Sequence, residues 1–268
     1  MRASVLLLAA CLLPLPDADA AAQAQETEER PFCADRPGVN TPPCTMTPGR
    51  VMVETSLADW TLDEQGGERE DTVVVADTVV RIGVTDSGEL QIGLTPFGYI
   101  RRRGLQGFVD EETGVGDLYL AWRQNLSGDQ GPVAIQGFVT LPTGSDALGA
   151  GTWTAGVLVP VSFSLSETVS LAATPEAGAA ANESGDGRHF YFGSAIGLGL
   201  GLSSSVAAAV ELSAYRDDDP AGATTQALAT GAVAWQVSED QQVDGQINLG
   251  LNRATPDVQL IFGFARRF

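Results

Sequence analysis

Acidic and basic side chains recur at every second position in several short segments, the spacing that places them on one face of a β-strand. Such rows of opposite charge could select solutes at a narrow passage or form a structural lattice of ion pairs. Apolar side chains such as Leu90, Ile92 and Leu94 occupy alternate positions. We therefore expect strands with one polar and one apolar face. The polar candidates are Asp77, Arg81, Glu89, Asp117, Tyr119, Arg123, Gln136, Glu211, Gln246 and Asn248.

Twelve segments rich in Val, Leu, Thr and aromatic residues follow Gly49, separated by Gly, Asp, Ser and Pro. Most are long enough to cross a bilayer as tilted strands, which takes about 9–11 residues. Long polar connections alternate with tight turns, as expected for a membrane barrel with its loops at one end. The predicted strands are 50–60, 72–84, 88–96, 115–125, 132–141, 152–164, 168–175, 189–201, 205–215, 225–237, 241–252 and 257–268.

The fold class that follows is all-β: a single transmembrane, antiparallel, up-and-down β-barrel of about twelve strands, of the outer-membrane type. Its apolar rows would face lipid and its polar rows would line the lumen. A soluble two-sheet sandwich shows the same alternation, but it gives no reason for the long loops to gather at one end. The barrel interpretation also places both chain ends at the turn end, in the periplasm.

The last eleven residues alternate and stop at Phe268, with Phe262 and Phe264 on the same face. This segment resembles the C-terminal targeting strand of Gram-negative outer-membrane barrels, although Arg266 stands where a hydrophobic residue is usual. The resemblance implies that Phe268 is an assembly signal. The implied partners are the barrel assembly machinery and outer-membrane lipid.

The first residues predict export. Arg2 precedes an apolar stretch at residues 5–15, and residues 1–24 are interpreted as a signal peptide. A lipoprotein processing site at Cys11 is the alternative. Residues 25–48 form a Pro-rich periplasmic arm, and residues 49–268 form the barrel. Two cysteines in the arm, Cys33 and Cys44, would most simply form one disulfide in an oxidising compartment.

Composition excludes several functions. The formal charge is −19, and all fifteen basic residues are Arg, so this acidic chain is a poor candidate for binding nucleic acid, which needs clustered positive charge. No run of 18 apolar residues is present, which argues against a helical membrane protein. With a single histidine, His189, we expect neither a metal site nor a cofactor.

The predicted inner wall leaves three interpretations open. One side carries charges of both signs, whereas the other carries mainly Gly and Ala, as at Gly193, Ala195 and Gly197. The small residues could leave width for a solute beside a selective charged wall. They could instead make room for a plug formed by the Cys33–Cys44 arm. The charges could also form only an ion-pair lattice that stiffens the barrel.

Three features of the predicted loops could each be a functional site or only solvated or interfacial side chains. Arg101, Arg102 and Arg103 could constrict the lumen as a folded-in loop or contact lipopolysaccharide phosphates, or they could be solvated. Residues 217–219, all Asp, could bind a divalent cation or be solvated. His189 could serve a hydrolase, but the sequence offers no Gly-x-Ser-x-Gly motif. We interpret His189 as an interfacial loop residue and expect no enzyme.

Three strings resemble the outer-membrane transporter family named for the meta-pathway of phenol degradation. They are Asp35-Arg36-Pro37 with the link to residues 48–54, residues 114–120, and residues 138–144. The resemblance covers about residue 35 to the end and implies a twelve-stranded channel for passive passage of small molecules, including hydrophobic or aromatic ones. It carries over no catalytic residue. A structural or interaction barrel with a plugged lumen is the alternative, followed by a barrel lipid hydrolase.

Overall fold

The computed structural model describes residues 29–128 and 130–268. The predicted signal peptide, the alternative site at Cys11 and residues 25–28 lie outside the described residues. In the described part of the chain, no helix is both long enough and apolar enough to cross a membrane.

Twelve antiparallel strands form the wall within residues 29–128 and 130–268, four of them in two segments. The last strand pairs with the first, with Met52 opposite Arg267, and closes the cylinder. The fold predicted from the sequence is confirmed. The strands are β1 (Val51–Gln65), β2 (Glu68–Val75 and Asp77–Thr85), β3 (Gly88–Leu94 and Phe97–Arg103), β4 (Val109–Gly114 and Leu118–Asn125), β5 (Ala134–Leu141), β6 (Thr154–Leu158 and Val161–Ser164), β7 (Val169–Ala181), β8 (Arg188–Gly201), β9 (Val206–Asp217), β10 (Thr224–Ser238), β11 (Gln241–Gly250) and β12 (Val258–Arg267).

The alternation seen in the sequence separates two surfaces. Large apolar side chains on the outside are exposed, among them Ile92, Trp122, Val157, Phe192, Ile196, Val210, Trp235, Ile247 and Phe262. Polar side chains at the alternate positions are buried inside, among them Arg81, Glu89, Arg123, Glu211, Asp244 and Asn248. An apolar exterior around a polar interior is the arrangement of a membrane barrel and the reverse of a soluble core.

The two ends of the barrel differ. One end carries turns at residues 86–87, 126–133, 165–168, 202–205 and 239–240, together with Phe268; we name it the turn end. The other carries connections at residues 66–67, 104–108, 142–153, 182–187, 218–223 and 251–257; we name it the loop end.

Residues 61–71 and 96–114 were predicted to be long loops, and this was wrong. They continue β1 to β4 beyond the apolar belt, for instance with Glu70 opposite Arg102 and Arg101 opposite Glu111. Both faces of this extension carry charge, so period-two alternation is absent from the sequence there. Cross-strand hydrogen bonds and ion pairs stabilise it instead.

Candidate functional site

The N-terminal arm, residues 29–48, lies inside the barrel. The backbone N–H of Gly38 donates to Gln246 Oε1 on β11 at 2.7 Å, and that of Met46 donates to Glu89 Oε2 on β3 at 2.8 Å. These two strands lie on different sides of the lumen, so the arm crosses it. The sequence placed this segment in the periplasm because a Pro-rich stretch without alternation shows no wall to pack against. The structure places residues 29–48 inside the barrel, as the plug interpretation of the same segment expected.

Asp35 of the arm binds two arginines of the wall. Nη1 and Nη2 of Arg123 donate to its two carboxylate oxygens at 2.7 and 2.5 Å, and Arg81 Nη1 lies 2.9 Å from Oδ1. Arg81 also pairs with Glu54 and Glu89, each at 2.9 Å. Both guanidinium groups are fully buried. A buried charge is tolerated only when it is paired and hydrogen-bonded, and the arm supplies the carboxylate that is hydrogen-bonded to Arg123.

A second anchor lies beside the first. Arg36 Nε donates to both carboxylate oxygens of Asp244 at 3.0 Å, and its Nη1 donates to Ser56 Oγ at 3.0 Å. The guanidinium rests against Gly263, where a Cβ atom would lie 1.7 Å from Nη2. Gly263 therefore provides the space that Arg36 occupies.

The predicted disulfide between Cys33 and Cys44 is present in the structure. The carbonyl of Cys33 accepts a hydrogen bond from Arg81 at 2.8 Å, and the carbonyl of Cys44 accepts one from Arg123 at 3.1 Å. The closed loop thus presents backbone acceptors and the Asp35 carboxylate to the same two arginines.

The side of the wall that carries mainly Gly and Ala also binds the arm. A Cβ at Gly197 would lie 2.6 Å from Cγ of Glu211, so the glycine makes room for that side chain. Glu211 in turn accepts hydrogen bonds from the backbone N–H of Val39, at 2.5 Å, and from Nδ2 of Asn40, at 2.9 Å. Of the three interpretations, the structure combines two: the small residues fit a plug, and the ion-pair lattice binds it.

The Asp35 anchor predicts how the plug responds to acid. Burial opposes ionisation of Asp35, but the charges of Arg123 and Arg81, with hydrogen bonds from Arg123 and Gln91, lower its pKa below the ordinary 3.8. A carboxylate with a lowered pKa stabilises the bound state at all pH values above its ordinary pKa. That contribution is lost only as pH falls through the lowered value.

We therefore expect conductance in planar bilayers to stay constant from pH 7 to about 4 and to rise only below that. The other ionisable groups facing Asp35 are Glu54 and Glu89, which share Arg81. A rise in the conductance of the parent chain between pH 7 and 5 would contradict this assignment.

A cavity of about 420 Å³ lies on the loop side of the arm. Its wall includes Asp77, Asp117, Tyr119 and Gln136, and arm residue Thr41 lies at its floor. This volume is within the range of small-molecule sites, about 300–1,000 Å³. The arm thus narrows the lumen at the turn end and leaves an open chamber above.

All ten lumen candidates lie on the inner face, in three groups. Those that contact the arm directly are Arg81, Glu89, Arg123, Glu211 and Gln246. Those lining the cavity are Asp77, Asp117, Tyr119 and Gln136. Asn248 is bound to Thr230 and Gln259 within the wall. Asp117 additionally accepts from the backbone of Gly144 and Ala150 at 2.7 and 2.8 Å and fixes the loop over residues 142–153.

The arginine run was predicted to lie in a loop, either as a candidate constriction or lipopolysaccharide contact or as a solvated segment, and the structure places it on the extension of β3 instead. Arg102 pairs with Glu70 and Glu112, and Arg101 pairs with Glu111. Arg103 stands opposite Arg69 at the end of the same ladder. Cross-strand acidic partners neutralise much of this charge, which is why the segment forms strands.

His189 is the second residue of β8 and lies on its inner face rather than in a loop, and it is buried. Its ring nitrogens lie 2.8 Å from Asp217 and 3.1 Å from Asp219. Among the described residues, no group of three or more His, Cys, Asp and Glu side chains is arranged to hold a metal ion. His189 therefore ties the 218–223 loop to the wall.

Phe268 closes the cylinder through its backbone. Its N–H donates to the carbonyl of Val51 at 2.8 Å, while its ring is exposed on the outside. The guanidinium of Arg266, the residue that departs from the targeting pattern, lies 4.7 Å from the centre of that ring. Recognition of Phe268 by the assembly machinery stays a prediction.

Fold and lumen together define a class: β-barrels of the outer-membrane type, here with the chain's own N-terminal arm in the lumen. The chain belongs to the family described as "Putative MetA-pathway of phenol degradation", whose model matches residues 34–268. The family resemblance stated from the sequence is confirmed.

Solved structures show the same fold. An outer-membrane channel from Pseudomonas putida F1 superposes with a TM-score of 0.70 at 16% identity, over 87% of this chain and 99% of that one. The β domain of the Bordetella autotransporter BrkA superposes with a TM-score of 0.55 at 12% identity, over 83% of this chain and 100% of that one. No curated protein matches the sequence.

Proposed function

We propose that this protein is an outer-membrane channel for the passive passage of small molecules, including hydrophobic and aromatic ones, with the arm narrowing its lumen. The observation that carries the proposal is the chamber of about 420 Å³ between the arm and the loop end. Family membership and the apolar exterior support the location in the outer membrane. The turn end, with both described chain ends, would face the periplasm, as short turns do in bacterial barrels.

A structural or interaction barrel is the second candidate, and the density of bonds between arm and wall favours it. If the arm never leaves its seat, the lumen stays closed at the turn end. Catalysis is not part of the proposal. His189 is held between two carboxylates, with Asn182 as its further partner, rather than beside a hydroxyl nucleophile.

Two glycine variants test passage through the chamber. Gly93 lines the cavity, and a Cβ there would lie 3.1 Å from Tyr119 Cβ, so Gly93→Phe would fill the chamber. Gly137 stands opposite the outward Trp122 and has open space, so Gly137→Phe is the matched control on the outer face.

Entry of 1-N-phenylnaphthylamine into intact Gram-negative cells is the measurement. We expect faster entry with the parent chain than with an empty vector, an unaltered rate with Gly137→Phe, and a rate close to the vector with Gly93→Phe. Equal rates for the two variants at equal abundance would contradict passage through the lumen.

A further inference from the structure

Four aromatic side chains face the lumen in its loop-end half and follow one another around the wall. Tyr119 on β4 and Phe138 on β5 lie with ring centres 5.8 Å apart. Tyr191 on β8 and Tyr215 on β9 continue the row and line a second cavity of about 300 Å³. We name these four residues the aromatic strip.

Glycines form the wall beneath these rings. Phe138, Gly156, Gly178 and Tyr191 stand directly opposite one another on four consecutive strands. A Cβ at Gly156 would lie 2.7 Å from Phe138 Cζ and 2.9 Å from Tyr191 Oη, and one at Gly178 would lie 2.7 Å from Tyr191 Cε1. One face of each ring therefore lies against the glycine backbone, and the opposite face is turned towards the lumen.

A carboxylate lies within the strip. Glu176 on β7 accepts a hydrogen bond from the Tyr191 hydroxyl at 2.7 Å through Oε1. In the described part of the chain, Oε2 accepts no hydrogen bond, and no arginine forms an ion pair with this group. Other carboxylates in the lumen, such as Asp35 and Asp244, are bound by arginines. Glu176 thus has one carboxylate oxygen without a hydrogen-bond donor and no arginine paired with it among the described residues.

The strip connects the two lumen cavities. Tyr119 lines the chamber of about 420 Å³ above the arm, and Tyr191 and Tyr215 line the cavity of about 300 Å³ nearer the loop end. Asp77 and Asp117 add negative charge to the larger chamber. A solute that enters from the loop end would pass along the strip before reaching the arm.

Aromatic faces attract cations and stack on other rings, and a carboxylate beside them pairs with an ammonium group. We propose that the aromatic strip and Glu176 form a binding site for protonated aromatic amines. The ring of the amine packs on Tyr191 and Phe138, and its ammonium donates to Oε2 of Glu176. An aromatic carboxylate of the same size is repelled. As a determinant of what crosses the membrane, this site rests on the proposed channel function.

Binding is measured directly, by titration of the purified full chain in lipid nanodiscs followed by ligand NMR. The probes are 2-phenylethylammonium, neutral 2-phenylethanol and anionic phenylacetate, which share one ring and differ in charge. We expect the ammonium to bind about tenfold more tightly than the alcohol, and phenylacetate not to bind.

Variants separate the ring from the charge. Tyr191→Leu should weaken binding of the ammonium about tenfold, because a ring face is lost. Glu176→Gln keeps an acceptor for Tyr191 and should reduce ammonium binding to the level of the alcohol. Phe192→Leu is the matched control, since Phe192 is the next residue on β8 but is exposed on the outside; it should leave binding unaltered.

Equal affinity for the three probes would contradict the proposed site. So would an equal loss of affinity for 2-phenylethylammonium in Tyr191→Leu and Phe192→Leu. Binding as expected without uptake in cells would leave the site standing and refute the channel. Uptake of all three probes into cells at equal rates would support the channel and refute the site as a determinant of what crosses.

Discussion

Replacing Asp35 by Asn will open the channel. Arg123 is fully buried and donates two hydrogen bonds to this carboxylate, whereas the other carboxylate paired with it, that of Glu89, lies 3.5 Å away and already pairs with Arg81. Breaking a buried ion pair costs about 3–5 kcal/mol. A change of about 3 kcal/mol shifts the ratio of seated to released arm by more than a hundredfold. Single-channel conductance in planar bilayers should rise several-fold.

The matched control is Asp110→Asn. Asp110 lies on the exposed extension of β4 and approaches Arg102 only to 4.0 Å, so its charge makes little difference to the lumen. Its conductance should equal that of the parent chain. If Asp35→Asn also conducts like the parent while keeping the gel shift of a folded barrel, the ion pairs do not hold the arm.

Gly263→Ala will open the channel by a steric route that leaves every charge in place. The added Cβ would lie 1.7 Å from Nη2 of Arg36, so the guanidinium has to leave Asp244. The carboxylate of Asp244 is buried and would then lack its cation. Because the displaced atoms are the end of a flexible side chain, movement of Arg36 relieves part of the cost, and we expect a rise in conductance smaller than that of Asp35→Asn.

Gly201→Ala is the control for this variant. Gly201 also faces the lumen, on β8, but a Cβ there would have its first contact at 3.7 Å, with the Thr168 carbonyl. Conductance should not change. An equal increase in both glycine variants would show that the barrel responds to loss of glycine in general and not to displacement of Arg36.

The wall was largely predictable from the sequence, because the alternation that identifies each strand lies within a few consecutive residues. Alternation along each strand was enough to assign Arg81 and Arg123 to the lumen and Ile92 and Val157 to the outside. Strands could not be recognised where both faces carry charge, as around Arg101 and Glu111, since alternation of polarity disappears there.

The arm could be predicted only in part. The disulfide followed from two nearby cysteines, and the plug was one of three open interpretations. The partners of the arm could not be found, because Arg36 and Asp244 are 208 positions apart in the chain. Gly263 was noted as part of the terminal strand, but its role depends on the same distant contact. A row of glycines facing a charged wall was the one available signal that something else fills the lumen.

We propose that small solutes cross through the lumen and that the arm restricts their passage. The most direct test of this proposal is single-channel conductance in planar bilayers of the mature chain and of a variant lacking residues 29–48. Closure of the wall depends on pairing between β1 and β12, which the deletion leaves intact. We expect a small conductance for the full chain and a severalfold larger one without the arm. Equal conductances, with both proteins folded as barrels, would contradict the proposal.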